Sequence, residues 1–239
     1  MLKNKKFPVF IAVCLSALAL LSACRKEEEI LPPREDIPEE EVKIELPSYY
    51  PFTSEEIKQA YENNNDVTGW LTIPDCEIDN QVFIGVDNNQ YLRLDEEGNY
   101  DVWGCYFMDY RNVNDGYTLT DKVSVIYGHS WLDSAEYQKF SKLKLFRDRD
   151  FCRRHPVINY SLLYNEITAQ IFAVSNIPVT IDYIDPNPRE EKYQKTLDYL
   201  ITHSFVDFDV EVSVEDKILL LSTCTSDGNT RFVVAAKIV

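Results

Sequence analysis

The strongest constraint on this fold is a succession of short apolar runs with turn residues between them. "GWLTI" precedes a Pro-Asp turn, "QVFIGV" precedes "DNNQ", and "GCYFMDY" precedes "RNVNDG". "KVSVIYGH", "PVINYSLL" and "EITAQIFAVSNI" follow, and "KILLLSTC" and "RFVVAAKIV" close the chain. These runs are rich in Val, Ile, Tyr and Phe, the residues that fit a pleated, half-buried surface, and they read as strands. Many short strands with few helices predict a mainly β fold, a barrel or sandwich with inserted helices. "ILLL" is apolar at consecutive positions, which predicts a strand buried on both faces.

Helical signals interrupt the strands at three places. "TSEEIKQAYENNND" opens with Thr53 or Ser54 as N-cap and acids in the first turn. Ile57, Ala60 and Tyr61 then share one face. Shorter helical pieces are expected near "SAEYQKFSKL" and "RDRDFCRRH". A longer helix is expected over "NPREEKYQKTLDYLITHS", with Asn187 as cap, Pro188 in the first turn and an apolar stripe of Tyr193, Leu197, Leu200 and Ile201.

The N-terminus carries an export pattern. Lys3, Lys5 and Lys6 precede 17 uncharged residues, "FPVFIAVCLSALALLSA". A basic region followed by an apolar one is the layout of a secretory signal. The stretch ends "LSAC", which resembles the lipobox of bacterial lipoproteins, with Cys24 as the lipidated residue. The alternative is an uncleaved membrane anchor, since 17 residues is near the lower limit for a spanning helix. Either way the rest of the chain lies outside the membrane, anchored by its N-terminus. The expected divisions are a signal peptide at 1–23, an acidic, proline-rich tether at 24–52 and one folded domain at 53–239. The tether has no sustained period and reads as a solvated spacer.

Net charge is -16, and cleavage before Cys24 would remove three lysines and move it to -19. Such a surface repels nucleic acid, so no nucleic-acid partner is expected. The chain has 7 glycines and neither a repeat nor a glycine-rich phosphate loop. Of 6 cysteines, Cys14 falls in the apolar segment and Cys24 at the lipobox. Cys76, Cys105, Cys152 and Cys224 are irregularly spaced without a Cys-x-x-Cys pair, so no metal site or dense disulfide framework is indicated, and no cofactor is expected. An oxidising compartment would permit a Cys76–Cys105 disulfide. Burial as small apolar residues is the favoured fate of Cys76, Cys105 and Cys152.

Three residues at strand ends could form a reactive set: His129 in "VIYGHS", Cys224 in "LLLSTC" and Arg231 in "TRFVV". A nearby cation favours the thiolate of a cysteine. A histidine can hand a proton to a leaving amine. An arginine offers fixed donors to an oxygen gaining charge. Together they fit acyl transfer through a thioester. Taken singly, each also reads as a structural residue. His155, before Pro156, and His203, closing the long helix, read as helix-terminal residues.

Over about residues 53–239 the chain resembles a class B sortase. "NNNDVTGWLTIPDCEIDNQVFIGVDNNQYL" matches the opening of that family, with Gly-Trp-Leu and then Asp-Asn-x-x-Tyr-Leu. "CYFMDYRN" matches the next strand and turn, "VIYGH" the family histidine, "LSTC" the cysteine and "RFVV" the arginine. The long helix before the cysteine strand matches the class B insertion. The resemblance implies a closed eight-stranded sortase barrel and a surface cysteine transpeptidase of a Gram-positive-type bacterium. It implies Cys224 as nucleophile, His129 as general acid and base, and Arg231 as stabiliser of substrate and oxyanion. Asn88 and Leu92 match residues lining the sorting-peptide groove, and Ser222 and Thr223 match positions beside the scissile bond. The implied donors are secreted proteins bearing a C-terminal sorting motif. The implied acceptor is an amine of a peptidoglycan stem peptide or of a pilin lysine. Three features depart from the pattern: Ser130 stands where Asn is common, "TSDGNT" is a short loop between Cys224 and Arg231, and a lipobox is unusual in a family that more often keeps an uncleaved anchor. The rival readings are a cysteine peptidase acting on wall peptides, and a non-catalytic peptide-binding lipoprotein. The order His, Cys, Arg argues against papain-like layouts, which place Cys before His.

Overall fold

The computed structural model describes residues 51–131 and 134–239. The export signal, Cys14, Cys24 and the tether as far as residue 50 lie outside the described residues. Phe52, assigned above to the tether, packs its ring against Tyr61 at 5.8 Å and Tyr164 at 5.1 Å. Packing onto the domain therefore reaches at least one residue ahead of the expected boundary, because a large aromatic has apolar surface to bury.

Eight strands close into one barrel: β1 (Val67–Ile73), β2 (Ile78–Ile84), β3 (Tyr106–Met108), β4 (Val123–Tyr127), β5 (Val157–Leu162), β6 (Glu166–Pro178), β7 (Ile218–Cys224) and β8 (Thr230–Ile238). Around the barrel they run β1-β2-β3-β4-β7-β8-β6-β5, and β5 pairs back onto β1. Of the barrel and sandwich left open by the strand pattern, the barrel forms. The pairs β2/β3 and β4/β7 are parallel, and the other pairs are antiparallel.

Strand β7 shows why its sequence is apolar at successive positions. Leu219 and Leu221 belong to the cluster filling the barrel, together with Phe232, Val234 and Ala236 of β8. Ile218 and Leu220 face outward into a second cluster with Val233 and Ala235. That outer cluster is capped by α3 (Glu190–Thr202), whose Tyr193, Leu197 and Leu200 are buried in it. Each buried leucine contributes about 1.5–3 kcal/mol.

Two helical expectations change. Ile201 is 46% exposed, and Thr196 takes the fourth buried position instead. Arg189 occupies the N-cap of α3 without a side-chain cap bond. Asn187 instead bridges to the residues before β4, accepting from Lys122 N at 3.2 Å and donating to Asp121 at 2.6 Å. The piece expected near "SAEYQKFSKL" is a 3-10 helix over Lys139–Arg147. Its Phe140, Leu143 and Phe146 are fully buried, and their spacing of three matches three residues per turn. The other two helices are α1 (Glu55–Asn63), capped by Ser54 Oγ accepting from Ile57 N at 3.2 Å, and α2 (Arg149–Arg154). Ile57 and Ala60 are buried, and Tyr61 is partly buried against the cluster holding Ala60. His155 and His203 sit at the C-caps of α2 and α3, His155 beside Asp75 at 3.0 Å and His203 stacked on Tyr199 at 4.0 Å.

Cys76, Cys105 and Cys152 are free and buried, and no Cys76–Cys105 disulfide forms. Cys76 lies in the barrel interior and Cys105 in a separate cluster beside α1. Their thiols donate to the carbonyls of Lys142, Leu94 and Phe146, respectively. Burial pushes the Cys76 and Cys105 thiols up to about 12 and the Cys152 thiol to about 11. Thiols held protonated in this way are poor nucleophiles.

Candidate active site

Cys224 is the exposed cysteine among the described residues. It ends β7, and in the antiparallel ladder with β8 its cross-strand partner is Arg231. Paired positions carry side chains on the same face, so the thiol and the guanidinium emerge together. On the other side β7 runs parallel to β4, with Ser222 opposite Tyr127. His129 is two residues past Tyr127, and Cys224 is two past Ser222. The parallel register therefore brings imidazole and thiol to one end of the barrel.

These groups share a cleft of about 250 Å3, lined by Asn88, Leu92, Tyr127, His129, Ser222, Thr223, Cys224 and Arg231, with Phe107 and Gly128. All seven groove and reactive residues expected from the sequence fall here; Cys24 lies outside the described residues. A second cleft of about 510 Å3 adjoins the first and shares His129 and Cys224. Its walls include Arg93, Trp103, Trp131 and Tyr137. Among the described residues no cluster of His, Cys, Asp and Glu could hold a metal ion.

The backbone at the thiol is fixed. The Cys224 carbonyl accepts from Ser130 Oγ and from Lys144 Nζ, each at 3.3 Å. Ser130 thus supports the Cys224 end of β7 with a hydroxyl where the resemblance leads one to expect Asn. Thr223 Oγ1 donates to the Gly128 carbonyl at 2.6 Å, tying β7 to the loop that carries His129. Gly128 must be glycine: a Cβ there would meet the Phe140 ring and the Tyr106 ring at 2.8 Å. The Ser222 hydroxyl is bonded to Tyr183 at 2.8 Å behind the cleft wall. Of the two residues expected beside the scissile bond, each therefore already has a partner for its hydroxyl inside the protein, the Gly128 carbonyl for Thr223 and the Tyr183 hydroxyl for Ser222.

The short loop after Cys224 is stapled by Asp227. Its carboxylate accepts from Thr225 Oγ1 at 2.6 Å, Asn229 N at 2.9 Å and Thr230 N at 3.1 Å. Gly228 takes the positive φ of 69° that closes the turn. Arg231 Nη1 donates back to the carbonyls of Gly228 at 3.2 Å and Thr230 at 2.9 Å. A guanidinium has five N–H donors in a rigid fork. Using Nη1 for the loop fixes its plane and leaves Nε and Nη2 for a substrate oxygen.

His129 Nε2 lies 2.8 Å from the Leu92 carbonyl and 3.2 Å from Arg93 Nη1. In the tautomer that donates Nε2–H to Leu92, Nδ1 carries the lone pair. Burial lowers the His129 pKa, and the Arg93 and Lys139 cations add to this; the Leu92 carbonyl and Asp101 oppose it without reversing it. The resting imidazole is therefore neutral at pH 7.

The motif reading passed over Asp109, Tyr127 and Arg93. Tyr127 and Arg93 line the clefts, and Asp109 lies behind Asn88. The available signal was an acid inside an otherwise apolar run, "CYFMDY", since a buried carboxylate needs partners.

The chain is 32% identical over 189 residues to sortase B of Listeria monocytogenes, covering 77% of this chain and 74% of that protein. Its fold is similar to a Staphylococcus aureus sortase B–substrate complex, with a TM-score of 0.69, 29% identity, and 77% and 84% of the two chains covered. A sortase B complexed with triglycine gives a TM-score of 0.68 at 29% identity, covering 76% and 84%. No family model matches the chain.

Proposed function

The chain belongs to the sortase B family and is a cysteine transpeptidase, and from that premise we propose its substrates and the role of each residue in the cleft. The donor is a secreted protein bearing a C-terminal sorting motif. The acceptor is an amine of peptidoglycan or of a pilin lysine. The enzyme works at the outer face of the cell membrane, held by lipid on Cys24 or by an uncleaved anchor. The observation that carries the reading is the Cys224–Arg231 cross-strand pair with His129 alongside, in a cleft that opens on both sides of the thiol.

Cys224 passes its proton to His129, and the thiolate attacks the scissile carbonyl carbon. The carbonyl π electrons move to oxygen, and the free edge of Arg231 stabilises that oxyanion. The C–N bond then breaks, and the imidazolium gives its proton to the departing amine. A histidine with a lowered pKa is a weak base but a strong acid once charged, which suits expulsion of a poor leaving group. The product is a thioester on Cys224 and a neutral His129. An acceptor amine attacks the thioester carbon and loses its proton to His129, and that proton returns to sulfur as the new amide leaves.

The donor chain lies in the cleft with Asn88, Leu92 and Arg231. The acceptor enters by the cleft with Trp103, Trp131 and Tyr137, since it must reach the thioester from the side the leaving amine has vacated. That there is a donor and an amine acceptor to place is supported by two similar structures, one a substrate complex and the other a complex with triglycine.

The test is mass spectrometry of the enzyme with sorting peptides and increasing concentrations of oligoglycine, a stem-peptide mimic or a lysine peptide. Turnover should rise with amine, and product should pass from acid to amide. Cys224→Ala should form no thioester while keeping its fold. An amide-to-acid ratio near zero for every amine class, with brisk hydrolysis, would make the protein a peptidase. Absence of any thioester on wild-type Cys224 would favour a peptide-binding lipoprotein.

A further inference from the structure

Asp109 stands one residue past β3, and its carboxylate is fully buried. A buried charge is costly unless it is paired and hydrogen-bonded on all sides. Asp109 meets that requirement. Its Oδ1 accepts from Arg111 Nε at 2.8 Å and Arg111 N at 3.1 Å, and its Oδ2 accepts from Arg111 Nη2 at 2.9 Å. Arg111 Nη2 also donates to the Ile184 carbonyl at 2.8 Å, in the segment running from β6 toward α3. Two further donors reach Oδ2 from the wall of the donor cleft: Tyr127 OH at 2.8 Å and Asn88 Nδ2 at 3.0 Å.

The bond to Asn88 has a second half. Asn88 Oδ1 accepts from Tyr110 N at 3.0 Å, so one side-chain amide is held at both ends by consecutive residues, Asp109 and Tyr110. A carboxamide has two N–H donors and two carbonyl lone pairs. One of each is consumed, and one donor and one acceptor remain on a residue that lines the cleft. That pair is complementary to a single peptide bond, which offers one C=O and one N–H. The carboxylate also fixes which end of Asn88 is which. Since Oδ2 can only accept while ionised, the NH2 group must face it.

We propose that Asp109 is a positioning residue for donor binding: from beneath the cleft it orients Asn88 so that the amide reads the backbone of the sorting peptide, and it locks Tyr127 and, through Arg111, the Ile184 segment around the same groove. The proposal rests on the sortase reading for the identity of the donor. The placement of Asn88 stands independently of it.

Two measurements separate those layers. The first needs no substrate. The side-chain amide resonances of Asn88, assigned by their loss in Asn88→Ala, are compared in 1H–15N spectra of wild type and Asp109→Asn. They should shift and sharpen toward those of a solvent-exposed amide while the barrel resonances stay dispersed. Unmoved Asn88 resonances in a folded variant overturn the proposal. If Asp109→Asn does not fold, the Asp109→Asn, Arg111→Met double variant removes the buried carboxylate and its partly exposed guanidinium partner together and is tested in its place. The second measurement is steady-state kinetics with a sorting peptide. Asp109→Asn should raise KM about tenfold with kcat within twofold, and in an Asn88→Ala background it should add less than twofold. An unchanged KM, or a full tenfold effect persisting without Asn88, overturns the proposal. Should the wild type process no sorting peptide, the donor assignment fails, and the spectra alone decide the placement.

Discussion

Thr223→Val is the substitution that best isolates how the barrel holds its histidine. The two side chains have nearly the same shape, and Thr223 is 3% exposed, so no cavity forms. What disappears is the 2.6 Å bond from Oγ1 to the Gly128 carbonyl. Leaving a buried acceptor without its donor costs about 1–3 kcal/mol. For a domain of this size each kcal/mol lowers Tm by about 2–4 °C, so a fall of about 2–12 °C is expected.

The functional effect should be larger than the loss of stability implies. Gly128 is the residue before His129, and the lost bond is the shorter of two side-chain ties between β7 and the histidine loop, the other running from Ser130 Oγ to the Cys224 carbonyl at 3.3 Å. A misplacement of about 1 Å in a catalytic group can cost about a hundredfold in rate. The expected result is a kcat reduced about ten- to a hundredfold, with KM nearly unchanged, at temperatures where the variant is fully folded. Thermal denaturation and steady-state transpeptidation are the assays. Thr223→Ser keeps the hydroxyl and should recover most of kcat. If Thr223→Val loses stability as expected but keeps kcat within twofold, the tie is structural only and the argument fails. A Thr223→Val defect in KM alone would mean that the side chain meets substrate directly.

Arg231→Lys retains charge but cannot keep two loop carbonyls and offer a planar pair of donors to an oxyanion; kcat should fall about 10²–10³-fold, the loss typical of one oxyanion donor, and wild-type turnover would make Arg231 structural. Arg93→Ala removes a cation 3.2 Å from His129 Nε2, so the imidazole should titrate at higher pH in an NMR titration of its ring protons; an unchanged or lower midpoint contradicts the electrostatic account. Because the folded-state pKa of His129 is lowered, its share of stability is intact above about 6.5, the ordinary histidine value, and is lost as pH falls from there toward the folded value. Cys24→Ala or globomycin should leave a larger, unprocessed form in the native host, and an unchanged mass would indicate an uncleaved anchor.

The legible parts of the fold were those dictated by local periodicity. Alternating and continuous apolar runs marked all eight strands, and "KILLLSTC" showed its double burial directly, because β7 carries one apolar cluster on each face. Closure of the barrel was not legible from the runs alone. It depends on β5 returning to β1, and no local pattern announces a pairing such as Gly69 with Leu162. A helical piece near "SAEYQKFSKL" was legible, but not its 3-10 type or its extent to Arg147, because Phe140, Leu143 and Phe146 satisfy a period of three that a 3.6-residue template blurs. Asn187 looked like a helix cap by position, yet it was already committed to Asp121 and Lys122 across 66 and 65 residues of chain. In the cleft, His129, Cys224 and Arg231 could be named from motifs, whereas Asp109 and Arg93 act through partners that only the tertiary structure supplies, Asn88 and Tyr127 for the first and His129 for the second.

The local environment of His129 also bears on why acyl transfer should go to an amine. Both water and an amine can attack a thioester, and both need a base, but they need it to different degrees. An amine attacks with its own lone pair and sheds a proton from an already acidic ammonium-like intermediate. Water is a poor nucleophile until a base takes its proton during the attack. General-base efficiency follows base strength, and burial together with the Arg93 and Lys139 cations makes His129 a weak base. Such a base serves the amine adequately and water badly. The same depression makes the imidazolium a strong acid, which the first half-reaction needs in order to release its amine. On the proposed roles, one electrostatic setting would assist thioester formation and disfavour its hydrolysis. Discrimination against water would then come from the strength of the base, in a cleft that stays open on the side proposed for the acceptor.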